Sequence, residues 1–505
     1  MAYFYSPVNR KSVVQMLPYQ TLITINKNSA TPVYQQIANG LINLIREGII
    51  TPGSSLPGSR EMAALLQVHR KTIVAAYQEL FTQDWIETIP RKGVMVSNQL
   101  PEIKPRSFRP AEAIPAYAGH ANFPINKIVS LPSTGIRSGD CRLFVNDGFP
   151  DPRMAPVDLL MREYRSMFNS NVFKRTVLYG DLNGSLNLRR ELVQFLSETR
   201  GLHIGVNNVL MTHGAQMAIY TAASLILQPG STVIVGEPDY FMADMIFQQL
   251  GARLIKVPVD ENGMDVEAVK KICKKKKPDL LYIIPHHHHP TTVTLSADRR
   301  MMLLELIREY RMAVIEDDYD YDFHYSGGPI LPLASASHGG NVVYIGSLTK
   351  TMAPSIRVGY MIAPENFINE AAQLRKLIDL RGDSLLEEAL AVLFKNGDMV
   401  RHLKKSVKLY HERRDHLCML MEKQLGNAVS FQKPAGGMAL WLRFNKKHPL
   451  PSVAARAATH GLFMSDGNAY SNGTVNYNAL RFGFASLNEK EQIEAVDILK
   501  KVCKV

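Results

Sequence analysis

Residues 347–360 read SLTKTMAPSIRVGY, and they follow the apolar run 342–345, which is typical of a buried strand. Lys350 offers an amine that can form a Schiff base, while Arg357 and Ser347 offer a fixed cation and a hydroxyl donor for an anionic group. A single Ser-x-x-Lys pattern is weak evidence by itself, because most such lysines are surface residues. Its meaning therefore depends on the rest of the chain.

Short apolar runs alternate with helical patterns on both sides of this stretch. The strand candidates are residues 208–212, 232–235, 253–257, 280–284, 312–315 and 342–345, and the helical patterns between them include 216–227 and 297–310. Such alternation predicts an α/β domain with a mostly parallel sheet covered by helices on both faces. Residues from about 390 to 505 are expected to form a smaller α+β lobe.

Acidic and aromatic residues follow another strand candidate, because residues 316–319 read EDDY. A carboxylate at the carboxyl end of a strand can hold the proton on the ring nitrogen of a bound pyridine-type cofactor, and Asp317 is the candidate for this role. Tyr319 is then expected to reach a phenolic oxygen on the same ring. The same four residues also fit a solvated loop, so they too need support from their neighbours.

Three further features extend the pattern. Gly214, Ala215 and Gln216 lie between a strand candidate and a helical pattern, where backbone N–H groups at a helix N-terminus form an anion site. Tyr240 suits stacking on an aromatic ring. Arg481 suits bidentate binding of a substrate carboxylate, although an arginine before an apolar strand often forms a structural ion pair instead.

Pyridoxal 5'-phosphate (PLP) needs five kinds of partner in a protein. They are a Schiff-base lysine, a carboxylate at the ring nitrogen, a partner for the phenolic oxygen, a phosphate site and a group stacked on the ring. The residues above supply a candidate for each. The sequence therefore predicts a PLP site, and no metal site, with Lys350 as the residue that forms the Schiff base.

The bulk properties are those of a globular protein with more than one domain. The chain has 505 residues, of which 46% are hydrophobic, and it carries a net charge of +12 and four scattered cysteines. One core rarely grows beyond about 300 residues. The N-terminus does not resemble a signal peptide, and no apolar run reaches the roughly 18 residues of a membrane span. Together with the unpaired cysteines, this predicts a cytoplasmic protein.

Four regions differ in their patterns. Residues 1–30 show no clear periodicity and are expected to form an arm, and residues 31–98 combine helical patterns with a strand-turn-strand. Residues 99–140 contain six prolines among polar and basic residues, which favours a linker. Residues 141–505 form the predicted PLP domain.

Residues 31–98 have the pattern of a helix-turn-helix. Apolar residues on one face of the first helix are followed by a turn at Pro52-Gly53, a second helix that Ser59 can cap, and a third helix from residue 69. The third would lie in the major groove with its first residues at the base edges. Residues 85–96 read as a β-hairpin wing. The candidate DNA contacts at these positions are Arg60, His69, Arg70, Lys71, Thr72, Arg91, Lys92 and Gly93.

Residues 32–37, 52–63 and 68–80 resemble the motifs of the GntR family of winged helix-turn-helix regulators, which run P-x-Y-x-Q-I, P-G-x-x-L-P-S-x-R-x-L-A and V-S-R-x-T-V-x-x-A-Y-x-x-L. The resemblance implies binding to double-stranded promoter or operator DNA. The chain departs from the motifs at Gly58, Gln67 and His69. The role of His69, as a helix cap, a phosphate contact or neither, stays open.

Residues 141–505 resemble the fold-type I aminotransferases, and the whole chain resembles the MocR/GabR subfamily of GntR regulators. The resemblance implies a head-to-tail homodimer in which Tyr179, from the stretch Tyr179-Gly180-Asp181, reaches the cofactor phosphate of the neighbouring subunit. It also implies that the residue before Pro290 contacts the phenolic oxygen, a position usually occupied by Asn. Here that residue is His289, the last of four consecutive histidines.

The predicted function is transcription regulation by a protein that senses an amino acid, an amine or PLP itself through a Schiff base at Lys350. The alternative is a working aminotransferase that carries a DNA-binding domain, since Lys350, Asp317 and Arg481 are all present. A regulator that no longer binds the cofactor is disfavoured by the retained lysine. The sequence leaves the effector, the operator and the direction of regulation open.

Overall fold

A computed structural model describes residues 17–100, 119–128, 141–168, 180–325, 330–471 and 475–504. The chain divides into two compact units, Met1–Ile125 and Asn126–Val505, and each is described by itself. The division falls inside the predicted linker. In the part of the chain that the structure describes, no helix has the length and apolar character needed to cross a membrane.

The N-terminal unit is a helix-turn-helix followed by a hairpin. Its described elements are α1 (Tyr19–Leu22), α2 (Val33–Arg46), α3 (Ser59–Leu66), α4 (Arg70–Thr82), β1 (Ile86–Ile89) and β2 (Gly93–Val96). The predicted apolar face of α2 is buried, and β1 pairs antiparallel with β2 to form the predicted wing. The turn between α3 and α4 passes through Gln67, whose φ of 52° is in the left-handed region.

Two local predictions for this unit are wrong. Tyr19 and Ile23 are buried in the same core as α2, so the segment after residue 16 belongs to the domain and is not an arm. Residues 1–16 lie outside the described residues. Gly58, and not Ser59, is the N-cap of α3, while the Ser59 hydroxyl accepts a hydrogen bond from Arg70 Nε at 3.3 Å.

The C-terminal unit is built on an eight-stranded sheet with the order β4-β11-β10-β9-β8-β5-β6-β7. Its strands are β4 (Val209–Thr212), β5 (Thr232–Glu237), β6 (Arg253–Asp260), β7 (Gly263–Met264), β8 (Leu280–Ile283), β9 (Ala313–Asp317), β10 (Val342–Ser347) and β11 (Gly359–Ile362). All six strand candidates from the sequence are present. Six strands run in one direction, and only β7 and β11 are antiparallel to their neighbours.

Helices pack on this sheet, and a smaller lobe follows it. The helices of the described chain after residue 140 are α5 (Val157–Phe168), α6 (Leu186–Arg200), α7 (Gly214–Ile226), α8 (Phe241–Gln249), α9 (Val266–Lys275), α10 (Ala297–Tyr310), α11 (Glu365–Asp379), α12 (Ser384–Lys395), α13 (Asp398–Leu425), α14 (Leu450–Thr459) and α15 (Glu489–Cys503). The lobe contains the antiparallel sheet β12 (Val429–Ser430), β13 (Ala439–Phe444) and β15 (Ala479–Gly483). The predicted α+β lobe is therefore confirmed.

One short strand joins the beginning of this unit to its end. β3 (Leu143–Phe144) pairs in parallel with β14 (Leu462–Phe463), and the Gly483 N–H donates to the Asn146 carbonyl at 2.9 Å. As a result, residues 146–149 lie beside β15, more than 300 positions away in the sequence. This pairing brings them to the candidate site.

Candidate functional site

The carboxyl ends of five strands meet at one edge of the sheet. β4, β5, β8, β9 and β10 run in the same direction, so the residues that follow them converge there. They surround a cavity of about 160 Å³. Its lining residues are Asp147, Phe149, Ala215, Gln216, Tyr240, His289, Asp317, Tyr319, Ser347, Thr349, Lys350 and Arg357. Nine of them are candidates from the sequence, whereas Asp147, Phe149 and Thr349 were missed.

Lys350 lies inside this cavity with its amine held by the chain. Its Nζ donates to the Gly148 carbonyl at 2.7 Å and lies 4.1 Å from the centre of the Phe149 ring. Burial lowers the pKa of Lys350 to about 8, an effect that the nearby Asp147 carboxylate opposes. The neutral amine, which is the form that can attack an aldehyde carbon, is therefore more abundant near physiological pH than in an ordinary lysine.

Asp317 is buried, and in the described structure only one of its two carboxylate oxygens has a hydrogen-bond partner. Its Oδ2 accepts a hydrogen bond from the Tyr282 hydroxyl at 2.8 Å, and its Oδ1 has no partner among the described residues. Burial raises the pKa of Asp317 to about 7. An N–H or a positive charge at the free oxygen would stabilise the carboxylate, and a protonated pyridine nitrogen offers both. Asp317 therefore fits the ring nitrogen of PLP, with Tyr282 holding its other oxygen.

The first turn of α7 forms a cradle for an anion. Gly214 opens the helix with a φ of 77°, and a Cβ on it would come within 2.7 Å of Arg357 Nη2. A Cβ on Gly359 would lie 2.6 Å from the Gly214 carbonyl carbon, so β11 approaches the helix N-terminus directly. Backbone N–H groups, the helix dipole and an exposed guanidinium thus converge, which fits the phosphate of PLP.

We expect Gly359→Ala to weaken PLP binding by about tenfold or more, because the added methyl group pushes the first turn of α7 out of place. Overpacking of this kind also lowers the free energy of unfolding by about 1–3 kcal/mol. Fluorescence titration of the cofactor-free protein with PLP measures the affinity. Gly205→Ala is the control, since its new Cβ would meet nothing closer than 3.7 Å. Equal PLP affinity in the two variants would contradict the assigned phosphate cradle.

Four rings line the cavity, those of Phe149, Tyr240, His289 and Tyr319. The Tyr240 hydroxyl donates to Gln216 Oε1 at 3.1 Å, and the Tyr240 ring meets His289 edge-on at 4.9 Å between ring centres. The Tyr319 hydroxyl donates to the His287 carbonyl at 3.0 Å. His289 Nε2 is buried and lacks a hydrogen-bond partner among the described residues. Burial also holds the pKa of His289 well below its ordinary value, so the imidazole is neutral.

The four consecutive histidines each face a different aspartate. His286 Nδ1 and His287 Nδ1 lie 3.0 Å from Asp318 and Asp320, while His288 Nε2 and His289 Nε2 lie 3.6 Å from Asp239 and Asp147. All four side chains are buried. The run thus contributes polar contacts to the interior around the cavity, and only His289 lines it.

Arg481, the candidate for binding a substrate carboxylate, contacts a carboxylate of the chain. Its guanidinium is buried and does not line the cavity that contains Lys350. Arg481 Nε instead lies 3.1 Å from Asp147 Oδ1, and the Tyr470 hydroxyl donates to the same oxygen at 3.0 Å. The predicted carboxylate-binding group therefore already holds a carboxylate of the chain. Tyr179, predicted to act on the neighbouring subunit, lies outside the described residues.

In the N-terminal unit, the candidate DNA contacts are on the surface. His69 is the N-cap of α4, because its Nδ1 accepts a hydrogen bond from the Lys71 backbone N–H at 3.2 Å. The helix cap is thus one role of His69, and its contact with DNA stays a prediction. Thr72 is half-buried, and the other candidates are exposed: Arg60, His69, Arg70, Lys71, Arg91, Lys92 and Gly93.

Known families match both units of the chain. Residues 156–499 match the family described as aminotransferase class I and II. The chain belongs to this family. Residues 33–96 of this aminotransferase-family chain match the bacterial regulatory proteins of the gntR family. Its architecture is therefore a GntR helix-turn-helix domain joined to an aminotransferase domain, as in regulators of the MocR/GabR type.

Individual relatives share this architecture or its larger half. The HTH-type transcriptional regulator YisV of Bacillus subtilis is 27% identical, over 92% of this chain and 95% of the relative. The pyridoxine biosynthesis regulator PdxR of Corynebacterium glutamicum is 26% identical over the same shares. A crystal structure of Pyrococcus horikoshii kynurenine aminotransferase with PMP matches with a TM-score of 0.66 and 26% identity, over 72% of this chain and 91% of that one. Fold and residues together indicate PLP as the cofactor.

Proposed function

We propose that this transcription regulator senses an amino acid, an amine or PLP itself, and that Lys350 is the sensing residue through a Schiff base. The observation that carries the proposal is the convergence of Lys350 and the half-satisfied Asp317 on one cavity, in a chain that also has an exposed recognition helix. The regulator PdxR, whose name refers to pyridoxine biosynthesis, supports PLP as one of the three effector classes. We place the protein in the cytoplasm as a homodimer.

Different residues of the cavity would bind different parts of the cofactor. Gly214, Ala215, Gln216, Ser347 and Arg357 would bind the phosphate, and Asp317 would bind the ring nitrogen. Tyr240 would pack on the ring, with His289 and Tyr319 near the phenolic oxygen. When bound, PLP supplies an aldehyde that condenses with amines. Lys350 would be the amine of the chain with which an effector amine competes.

The cavity would thus have two states, one with the Lys350 amine bound to the cofactor and one with this amine free. An effector changes DNA binding only if it binds these states with different affinity, and the coupling is reciprocal. The Lys350 amine contacts the Gly148 carbonyl and the Phe149 ring, so a change at Nζ acts directly on the segment that joins β3 to the cavity. This segment is the element through which we expect the state of the site to be transmitted.

We expect the rate at which cofactor-free protein captures added PLP to rise with pH, with a midpoint near 8. Below this pH the Lys350 amine is protonated and cannot attack, and the lowered pKa moves the midpoint down from the 10.5 of an ordinary lysine. Stopped-flow absorbance between about pH 6.5 and 10 measures it. Asp147→Asn should lower the midpoint further, because the carboxylate raises the Lys350 pKa. A midpoint at or above pH 10 would contradict the lowered pKa of the buried Lys350 amine.

A working aminotransferase is the second candidate function. The 26% identity to kynurenine aminotransferase and the presence of Lys350 and Asp317 in one cavity favour it. Incubation of the PLP-loaded protein with an amino acid and a 2-oxo acid separates the two functions. Sustained turnover would support the enzyme, whereas a spectral change without turnover would support the sensor.

The direct test of the regulator is binding to the DNA upstream of its own gene. Affinity is measured as a function of salt, with and without PLP, against a scrambled duplex of the same length. Binding that prefers the upstream DNA, weakens steeply with salt and changes with PLP would support the proposal. Equal affinity for both duplexes in every cofactor state would make the aminotransferase the leading function.

A further inference from the structure

A second cavity, of about 280 Å³, adjoins the cavity that contains Lys350. Asp147 and Phe149 line both of them. The Lys350 Nζ atom lies 4.1 Å from the centre of the Phe149 ring, so the amine lies against a ring that the two cavities share. A substituent on an effector amine that reaches the position of Lys350 can therefore extend into the second cavity.

Aromatic side chains form much of the wall of this second cavity. The rings of Phe144 and Phe463 stack with their centres 4.7 Å apart, and the Phe241 ring meets the Tyr470 ring edge-on at 6.1 Å. Phe144 is 44% exposed and Phe149 is 36% exposed, although both side chains are large and apolar. Apolar surface that is clustered and open to water favours a ligand that covers it.

The carboxylates in the same wall are already bound within the chain. Both oxygens of Asp466 accept hydrogen bonds from Asn468, at 3.1 Å from its backbone N–H and at 2.8 Å from its side-chain amide. Asp147 Oδ1 contacts Arg481 Nε at 3.1 Å and accepts the Tyr470 hydroxyl at 3.0 Å. Arg481 Nη1 has no hydrogen-bond partner among the described residues, so an effector carboxylate can still bind there. The effector class therefore includes both amines and amino acids.

The second cavity has room for an aromatic ring. An apolar cavity of roughly 150 Å³ is sufficient to hold benzene, and this one is larger. Aromatic rings also attract one another in edge-on and offset stacked arrangements, which the rings of the wall offer. We infer that the effector carries an aromatic substituent, which binds among these rings while its amine reaches the position of Lys350. The inference rests on the proposed sensing function and narrows its effector to aromatic amines and aromatic amino acids.

The test uses the PLP-loaded full-length protein and two pairs of ligands that differ by one phenyl ring. The pairs are 2-phenylethylamine with ethylamine, and phenylalanine with alanine. Half-saturation of the cofactor absorbance change gives an apparent affinity, and calorimetry measures binding independently. Because burial of a ring is strongly favourable, we expect the aromatic member of at least one pair to bind about tenfold or more tightly than its partner.

Two variants should reduce this preference by different means. Phe144→Ala removes an exposed ring from the wall, and Ala469→Leu fills part of the cavity with a larger side chain. In both variants we expect the preference for the aromatic ligand to fall about fivefold or more, while ethylamine and alanine bind as before. Phe168→Ala is the matched control, because Phe168 is an exposed phenylalanine of the same unit that lines neither cavity.

The outcomes separate the inference from the function on which it rests. Equal affinities within both pairs in the wild type, or a preference that a correctly folded Phe144→Ala or Ala469→Leu protein leaves unchanged, would overturn the inference alone. No spectral change and no heat with any of the four ligands would overturn the proposed amine sensing as well. Circular dichroism identifies a variant that does not fold, and the other variant then decides.

Discussion

Replacement of Lys350 with alanine is expected to abolish the visible absorbance of a lysine-linked cofactor and the response of DNA binding to effector. Among the described residues that line the cavity, Lys350 is the only one with a primary amine, so no neighbour can replace it. PLP would then be held only by its phosphate cradle and by Asp317, and its affinity should fall by about tenfold or more. The absorbance spectrum of the PLP-supplied protein and equilibrium dialysis measure the two effects.

The N-terminal unit has its own core, so Lys350→Ala should still bind DNA. This makes loss of folding distinguishable from loss of sensing. Lys276→Ala is a suitable control, because Lys276 is an exposed lysine at the end of α9 in the same unit as Lys350. A Lys350→Ala protein that keeps the wild-type absorbance, and shifts it with effector as the wild type does, would contradict the assigned role.

Replacement of Arg70 with alanine is expected to weaken binding to the specific DNA by about 1–3 kcal/mol, or roughly 5- to 150-fold. Arg70 is the first residue of α4 and is exposed, and its Nε contacts a serine hydroxyl and no carboxylate in the described structure. It is therefore available to the base edges at the N-terminal end of the recognition helix. Fluorescence anisotropy with specific and scrambled duplexes measures the loss.

Lys92→Ala in the wing is the informative comparison. A phosphate contact contributes equally to binding of all sequences, so this variant should weaken binding to both duplexes to a similar extent. It should also reduce the salt dependence of the binding constant by about one ion. Arg70→Ala should instead reduce mainly the difference in affinity between the specific and the scrambled duplex. Equal losses on specific and scrambled DNA in Arg70→Ala would show that Arg70 contacts only the backbone.

Much of the fold follows from local sequence patterns. Six apolar runs of the lengths typical of buried strands, with helical patterns between them, led directly to the parallel sheet. Parallel strands also explain why residues far apart in the sequence form one site, since Asp317 and Lys350 both follow strands that end at the same edge. Position at the end of a strand was thus the signal for Asp317 and Lys350, whereas His289 was identified from the family resemblance.

The features that were missed depend on contacts between distant segments. β11 is only four residues long, and its antiparallel direction is set by the strands on either side of it. Tyr282 lies inside β8, where its sequence pattern is that of a core residue, and only the fold shows that its hydroxyl meets Asp317. Asp147 reaches the site through the pairing of β3 with β14, which no local pattern predicts.

Errors at the N-terminal unit have a different cause. Ser59 is a good capping residue by type, but Gly58 has the extended backbone of the N-cap, so Ser59 becomes the first residue of α3. His69 is an unusual cap by type, yet its Nδ1 accepts the Lys71 N–H. For Ser59, a shift of one residue in the start of the helix decides what the side chain does, whereas His69 occupies the cap position itself.

The most direct test of the central claim is the affinity of the PLP-loaded protein for its own upstream DNA at fixed salt, measured by anisotropy as an amine effector is added. We predict that the effector changes the dissociation constant by about 5- to 150-fold in the wild type, the range of typical coupling energies. We also predict no change in Lys350→Ala. An unchanged dissociation constant in the wild type, under conditions in which the absorbance shows that the amine has bound, would contradict the claim that Lys350 connects the cofactor site to DNA binding.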